Sequence, residues 1–377
     1  MVTGFIALGM VDGFIGILWP SIGKHFGISI GYLGAILTVI TVGAAISSST
    51  VSRFLKLWGI GMHTALFSTL MVASILIYIT TDSWDVFIMA AFLFGIGAGG
   101  LDSGINAFSA RSRGTSFLNH LHAIYGIGIT LGPVMATLVI EYGKWQDTYL
   151  FIVPLFVGLI LGALFFAPLA PVFEAKESLN DNTTSLTNNN LTVPILILSA
   201  FFLYAAIEVT TGQWAFTFLT QVRGFPVLFG GLSTALFWAS LTLGRIVTGS
   251  LARNYSNRII LFLSTAGTLL GLVIFGLVPM DLVAFAGLML MGFSLGPFFP
   301  TLVASIPHMV GEERSNHTVG MSLVASNSGV AIVSLVALSV INYAGLFMII
   351  PILISTSLIL VFVVFTKLGR SMSSNIF

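Results

Sequence analysis

The sequence predicts an all-α integral membrane protein in which twelve transmembrane helices form two six-helix pseudo-repeats. Three observations support this fold class. The 377 residues are 56% hydrophobic and 7% charged, apolar runs long enough to span a bilayer recur along the chain, and one polar stretch divides these runs into two sets of six. Since about a quarter of the residues of a soluble domain are charged, the composition excludes an ordinary soluble protein.

Twelve helices are predicted because a bilayer core about 30 Å thick requires about 20 apolar residues per crossing, and runs of that length lie between polar or turn-forming breaks. The predicted spans are 1–22, 31–51, 60–80, 85–110, 116–140, 147–170, 194–220, 226–252, 258–278, 281–305, 316–342 and 345–367. We expect the lipid bilayer to surround these helices and the protein to be a monomer.

The polar stretch that divides the helices runs from Glu174 to Thr192 and is rich in asparagine, threonine and serine. It lacks hydrophobic periodicity, which is typical of a flexible linker. The predicted organisation is therefore an N-terminal six-helix half (1–170), a cytoplasmic linker (171–193) and a C-terminal six-helix half (194–377).

Lysine and arginine residues predict the orientation of the chain in the membrane. If both termini are cytoplasmic, all of the 14 basic residues except Lys24, Lys144 and Arg223 lie on the inner side, as the positive-inside rule requires. We therefore expect a multi-pass protein of the plasma (inner) membrane with both termini in the cytoplasm. The net charge of +1 argues against a nucleic-acid partner.

An internal repeat relates the two halves. "GAAISSSTVSRFLK" begins at Gly43 and runs off the second predicted helix, and "GRIVTGSLARNYSN" begins at Gly244 and runs off the eighth in the same way. The alignment matches Ser48 to Gly249 as well. A duplicated six-helix unit with a substrate site between its copies, near the middle of the bilayer, describes one class of secondary transporter.

The twelve-helix plan, the long central loop and the short basic loops after helices two and eight resemble the major facilitator superfamily across essentially the whole chain. The loop motif of that superfamily, a glycine followed by an Asp-Arg pair and further basic residues, is degenerate here and lacks the aspartate. Its remnants are Ser48, Ser52, Arg53 and Lys56 in the first copy and Gly249, Arg253 and Arg258 in the second. The resemblance implies the major facilitator fold, and we expect Arg53, Arg245 and Arg253 to act in gating.

Within the superfamily, three stretches look like the fucose permease branch and its relatives among sodium- or proton-coupled sugar carriers. They are "GMVDGFIGILWP" in helix one, "GIGAGGLDSGINAF" with "FLNHLHAIYGIGITLGP" across helices four and five, and "YAAIEVTTGQWAFTFL" in helix seven. In that branch, membrane-embedded acids on helices one and four are linked to proton coupling and sugar binding. By position these acids correspond to Asp12 and Asp102.

Three acids lie inside predicted transmembrane helices: Asp12, Asp102 and Glu208. A charge at the centre of such a helix costs about 2.5–3.5 kcal/mol on insertion scales, so these residues usually face a cavity or a partner and mark an ion or substrate path. A carboxyl group in that environment can take up and release a proton. We predict cation coupling by all three; the alternative is that they are neutral acids hydrogen-bonded between packed helices.

Amides and tryptophans near these acids suggest a sugar site. Asn106 follows Asp102 by four residues and lies on the same helical face, and Gln213 and Trp214 follow Glu208 by five and six residues. Sugar hydroxyl groups bind amides and carboxylates, and the apolar face of a sugar stacks on tryptophan. We therefore expect Asn106, Gln213 and Trp214 to bind solute.

Further candidates are Trp238 on helix eight, and Asn119 and His122 on helix five. His120 and His122 diverge by about 200° on a helix, so they cannot share one metal ion or one substrate group, and at most one faces the cavity. We expect Asn119, His122 and Trp238 to contact solute. The alternative for Trp238 is helix packing or a place at the membrane interface, and the alternative for the histidines is a place at the inner end of helix five.

Several classes of function are excluded or disfavoured. Every lysine and arginine lies in a loop or near the end of a predicted helix, so an anionic substrate, which needs a cation in the cavity, is disfavoured. The "GIGAGG" at 95–100 lacks the βαβ context of a dinucleotide site. Without cysteine there is no thiolate metal site, and we expect no cofactor and no enzymatic activity.

We conclude from the sequence that the chain is a secondary active transporter of a small neutral polar solute, with a sugar as first candidate. Coupling to protons, or as second candidate to sodium, would drive alternating access between the two sides of the membrane. Two alternatives stay open. One is a proton-coupled exporter of lipophilic cations or drugs, which acids and aromatic rings also suit, and the other is a membrane receptor that does not transport.

Overall fold

The computed structural model describes residues 1–112, 114–166, 192–251 and 255–368, and in these residues the secondary structure is helical, without strands. The transmembrane helices are α1 (Val2–Phe26), α2 and α3 (both within Leu33–Thr80), α4 (Trp84–Ser112), α5 (Gly114–Tyr142), α6 (Trp145–Phe166), α7 (Thr192–Gln221), α8 (Val227–Leu251), α9 (Asn257–Leu277), α10 (Asp281–Val310), α11 (Glu312–Ala344) and α12 (Leu346–Phe365).

The helix Leu33–Thr80 contains two crossings because Gly59 divides it. A straight helix of its 48 residues would be about 70 Å long, more than twice the thickness of a bilayer core. Gly59 has φ 68° and ψ 174°, a conformation that glycine adopts without steric cost, and the chain changes direction there. The resulting α2 (33–58) and α3 (60–80) correspond to the second and third predicted helices.

Helix α10 is also interrupted. Its first segment ends at Leu295, and its second segment starts at Phe298 after Gly296 and Pro297. Proline lacks the amide hydrogen that continues a helical ladder. With this interruption inside one crossing, the helices of the described residues supply twelve crossings, and the predicted twelve-helix fold is confirmed.

The domain division predicted at 170/171 and 193/194 stays a prediction. Residues 167–191, which include almost the whole predicted linker, lie outside the described residues. Helix α7 begins at Thr192, two residues before the predicted start of the second half.

The two halves meet through equivalent helices. Helix α2 packs against α11, α5 packs against α8, and α1 crosses α7. In the internal repeat α2 corresponds to α8 and α5 corresponds to α11, so the first two contacts are related by a pseudo-two-fold axis. This arrangement leaves α1 and α7 at the centre of the interface.

The halves are closed at the end of the molecule opposite the N-terminus. There Ser29, before α2, donates a 2.5 Å hydrogen bond to the Asn342 side chain of α11, and Thr38 donates a 3.0 Å bond to the Ala331 carbonyl oxygen. Gly34 lies so close to the backbone of α11 that a Cβ would not fit. If both termini are cytoplasmic, as predicted above, the structure is closed towards the outside.

Close packing of α1 on α5 is specified by small residues. A side chain at Gly128 of α5 would overlap the Ile6 carbonyl oxygen and approach the Met10 amide nitrogen of α1. Small residues at such crossings allow helix backbones to approach closely in a membrane, where van der Waals contact supplies much of the association energy.

We expect Gly128→Val to destabilise the protein, because overpacking a tight contact costs about 1–3 kcal/mol. The apparent melting temperature in detergent should fall by several degrees. Gly158→Val is the matched control, since no atom lies within 4 Å of the Cβ that it would add. Equal melting temperatures for the two variants would contradict this account of the α1–α5 crossing.

Candidate functional site

A cavity of about 210 Å³ lies between the two halves. Its polar and aromatic lining comprises Asp12, Thr41, Tyr78, Phe94, Tyr125, Tyr149, Gln213, Trp238 and Asn327. Both halves contribute several helices to this lining, so movement of one half against the other would reshape the cavity.

Asp12 lines the cavity and is held by a tyrosine. The Tyr125 hydroxyl group of α5 donates a 2.6 Å hydrogen bond to the Asp12 carboxylate. Helix α1 lies against α5 without space for side chains at Gly9 and Gly13, which brings the two partners together. The embedded acid of α1 therefore has a specific partner in the first half and an open cavity beside it.

Gln213 of α7 connects the second half to the backbone of α1. Its Nε2 donates to the Asp12 carbonyl oxygen at 2.8 Å, and its Oε1 accepts from the Gly16 amide at 3.0 Å. The contact is tight because a Cβ at Gly16 would overlap the Gln213 backbone. Gln213 lines the cavity as predicted for a solute-binding residue, but in this conformation α1 occupies both ends of its amide.

Asp102 and Asn106 of α4 form a second polar pair. The Asn106 amide donates a 3.0 Å hydrogen bond to the Asp102 carboxylate, so the two side chains share one helical face. Asp102 also lies within electrostatic range of Asp12. The charges of the acids of α1 and α4 can therefore act on one another in the interior of the first half.

Glu208 of α7 is paired with Arg245 of α8. The Arg245 guanidinium donates to the Glu208 carboxylate at 3.1 Å, and the Arg245 and Glu208 side chains are 36% and 15% exposed. Arg245 also donates to the Tyr204 hydroxyl oxygen at 3.4 Å and to the Gly296 carbonyl oxygen at 3.3 Å. The latter contact attaches it to the interruption of α10.

This pairing corrects the inference from the sequence that no basic side chain reaches the interior. The sequence places Arg245 near a helix end, away from the interior acids, whereas in the structure its long side chain reaches the acid of α7. Its predicted role in gating stays a prediction. The interior therefore holds a positive charge, and that charge is balanced by Glu208.

Helix α5 carries His122 one turn before Tyr125. The His122 side chain is exposed, its ring centroid lies 5.7 Å from that of Phe5, and it is within electrostatic range of Arg245. The exposure of His122 and the partial exposure of Arg245 show that the interior opens towards the end of the molecule that carries the N-terminus.

The two candidate tryptophans have different surroundings. Trp238 lines the cavity and packs on Gly212 of α7, where a Cβ would overlap its ring. Trp214 is 1% exposed and belongs to the packed core. Position 214 lies about 100° around the helix from Gln213, so in this conformation the structure does not support the expected contact between Trp214 and solute.

The described part of the structure does not place three further predicted residues in the site. Arg53 is exposed near the N-terminal end of the molecule. The side chain of Asn119 and the whole of Arg253 lie outside the described part of the structure. Their predicted roles in solute binding and gating stay predictions.

Sequence reasoning missed several residues of the cavity. Tyr78, Tyr125, Tyr149 and Asn327 line it, yet none stands near one of the three embedded acids in the sequence. Their only signal is a polar atom within an apolar helix, which ordinary helix packing also produces. Their convergence depends on how each helix is rotated.

Two six-helix halves around a central cavity with membrane-embedded acids define a transporter. The chain belongs to the Major Facilitator Superfamily, whose family description matches residues 1–334. The predicted superfamily is thereby confirmed, as is the prediction that the chain is not an enzyme.

Three relatives are similar in sequence. Bypass of stop codon protein 6 of Saccharomyces cerevisiae is 25% identical over 367 residues, which cover 86% of this chain and 72% of the relative. The glucose/mannose transporter GlcP of Bacillus subtilis is 22% identical over 278 residues, covering 71% and 68%. The uncharacterized transporter y4wD of Sinorhizobium fredii is 21% identical over 301 residues, covering 79% of each chain.

Solved structures show the same fold. A mutant form of the nucleoside transporter NupG superimposes with a TM-score of 0.80 at 14% identity and covers 97% of both chains. Another NupG structure gives a TM-score of 0.74 at 15% identity, covering 99% of this chain and 97% of NupG. These similarities confirm the fold predicted from the sequence.

We expect Arg245→Met to destabilise the protein because it leaves the Glu208 carboxylate without its ionic partner. Breaking a fully buried pair costs about 3–5 kcal/mol, and the partial exposure of Arg245 reduces our expectation to about 1–3 kcal/mol. Thermal unfolding in detergent measures the effect. Glu208→Gln in the Arg245→Met background should restore stability, and a double variant as unstable as the single one would show that the ion pair is not the cause.

Proposed function

We propose that this transporter carries a neutral sugar of monosaccharide size, coupled to protons by alternating access. The observation that carries the proposal is the central cavity, which combines the Asp12 carboxyl group, the Asn327 amide and the Trp238 ring. Carboxyl and amide groups suit the hydroxyl groups of a sugar, and an aromatic ring suits its apolar face. The relative GlcP is a glucose/mannose transporter, which supports this substrate class.

The size of the cavity favours a small solute over a drug. Its volume of about 210 Å³ is below the range of about 300–1,000 Å³ that is typical of sites for drug-sized ligands. Export of lipophilic cations is also less well supported than the sequence indicated, because the charge of Glu208 is balanced by Arg245. A monosaccharide is therefore our first candidate.

Asp12 and Asp102 are the acids that we propose for proton coupling. They lie within electrostatic range of one another in the first half, and two charged carboxylates repel one another, so a bound proton relieves that repulsion. The sequence predicts the same role for Glu208, but Arg245 already neutralises that acid. We assign the proton to the Asp12–Asp102 pair, with sodium as the second candidate for the coupling ion.

Thermal stabilisation of the purified protein tests the substrate class, because a ligand that binds the native state raises its apparent stability by mass action. The panel contains monosaccharides, disaccharides, polyols, nucleosides and lipophilic cations at two pH values, with and without sodium. We expect monosaccharides to raise the melting temperature and the shift to depend on pH. Stabilisation by lipophilic cations alone would favour the exporter. A shift that depends on sodium and not on pH would make sodium the coupling ion in place of the proton.

We expect Asp12→Asn and Asp102→Asn to abolish uptake driven by a proton gradient in proteoliposomes. Exchange of labelled for unlabelled sugar across the membrane, which needs no gradient, should survive in at least one of them. Asp85→Asn is the control, since Asp85 is exposed in the first turn of α4. Full pH-dependent uptake by both variants would refute the coupling assignment, and absence of exchange in the unmodified protein would favour the receptor.

A further inference from the structure

Asn327 of α11 is a polar side chain of the cavity that takes no part in the proposed proton coupling. It is exposed, and within the described part of the chain it has no hydrogen-bond partner. Polar side chains inside transmembrane helices usually pair with another group or face a water-filled path. The Asn327 amide is therefore available to a ligand.

The other residues that the second half contributes to the cavity differ from Asn327 in this respect. The Gln213 amide already makes one hydrogen bond to the α1 backbone at each end, which holds it against α1. Val209 and Val330 are apolar, and Trp238 offers a ring face and at most one donor. Among these residues, Asn327 is thus the amide that makes no hydrogen bond to the described part of the protein and can turn both its donor and its acceptor to a ligand.

Asn327 also lies at the edge of the closed end. The contact between α2 and α11 runs from Asn342 through Ser334 to Ala331, which accepts the bond from Thr38. Asn327 is one helical turn further along α11, where it lines the cavity together with Thr41 of α2. A solute bound to Asn327 lies directly beneath the closed α2–α11 contact.

We infer that Asn327 is a specificity-determining residue that binds neighbouring hydroxyl groups of the sugar. Its amide NH₂ donates to one hydroxyl oxygen and its carbonyl oxygen accepts from the next. Asp12 of the other half lines the same small cavity, so one sugar molecule contacts both halves. This inference rests on the proposed sugar transport and adds the residue that selects among sugars.

The test measures binding of D-glucose, D-mannose and the four single-deoxy analogues of glucose, at positions 2, 3, 4 and 6, to the full-length protein. We compare the unmodified protein with Asn327→Leu, which removes the polar groups and keeps the number and branching of the side-chain heavy atoms. Ser328→Ala is the matched control, because Ser328 bonds to the Val324 carbonyl oxygen of its own helix.

We expect the unmodified protein to lose about tenfold in affinity for the analogues that lack a hydroxyl group bound by Asn327, the size expected for one or two lost hydrogen bonds. Asn327→Leu should bind glucose about tenfold more weakly and should no longer discriminate against those analogues. Its discrimination at the other positions should remain, and Ser328→Ala should behave like the unmodified protein.

Two outcomes separate failure of this inference from failure of the proposed function. If the unmodified protein binds sugars and Asn327→Leu keeps full discrimination at every position, the role of Asn327 is refuted and sugar transport stands. If neither glucose, mannose nor any monosaccharide of the thermal panel binds the unmodified protein, the proposed function fails and this inference fails with it. Asn327→Ala replaces Asn327→Leu if the leucine variant does not fold.

Discussion

The crossing of α1 and α7 is the contact on which the site depends. The Gln213 amide bonds to the carbonyl oxygen of Asp12 and to the amide of Gly16, and glycine at position 16 allows the two backbones to meet. Because this contact joins the halves at the residue that carries the embedded acid, it fixes the position of the acid relative to both. The cavity is the space left beside this crossing.

Charge in the interior is arranged in two groups. The first half holds Asp12 and Asp102, each with a neutral hydrogen-bond partner, whereas the second half holds Glu208 with the opposite charge of Arg245. Arg245 also binds a carbonyl oxygen at the interruption of α10, so its ion pair belongs to the internal structure of that half. The uncompensated acids are thereby concentrated on one side of the interface.

The sequence was sufficient for the helices and for the embedded acids, because hydrophobic length and the cost of a charge in lipid are properties of a single segment. The pairing of Asn106 with Asp102 was also predictable, since both lie on one helix. The ion pair of Arg245, the bond from Tyr125 and the exposure of Asn327 were not. They depend on the rotation and crossing of different helices, which a single segment does not encode.

The internal repeat relates the two residues that meet at the crossing of α1 and α7. Asp12 and Gln213 are 201 residues apart, the same separation as Gly43 and Gly244 of the repeated loop segment. In the register of that loop segment, the acid and the amide fall at one position of the duplicated unit, once in an ionisable form and once in a neutral form. The two similar halves thus differ where they cross. Addition of a proton to Asp12 changes the charge of the first half at this position, whereas the second half, with Gln213, keeps its charge.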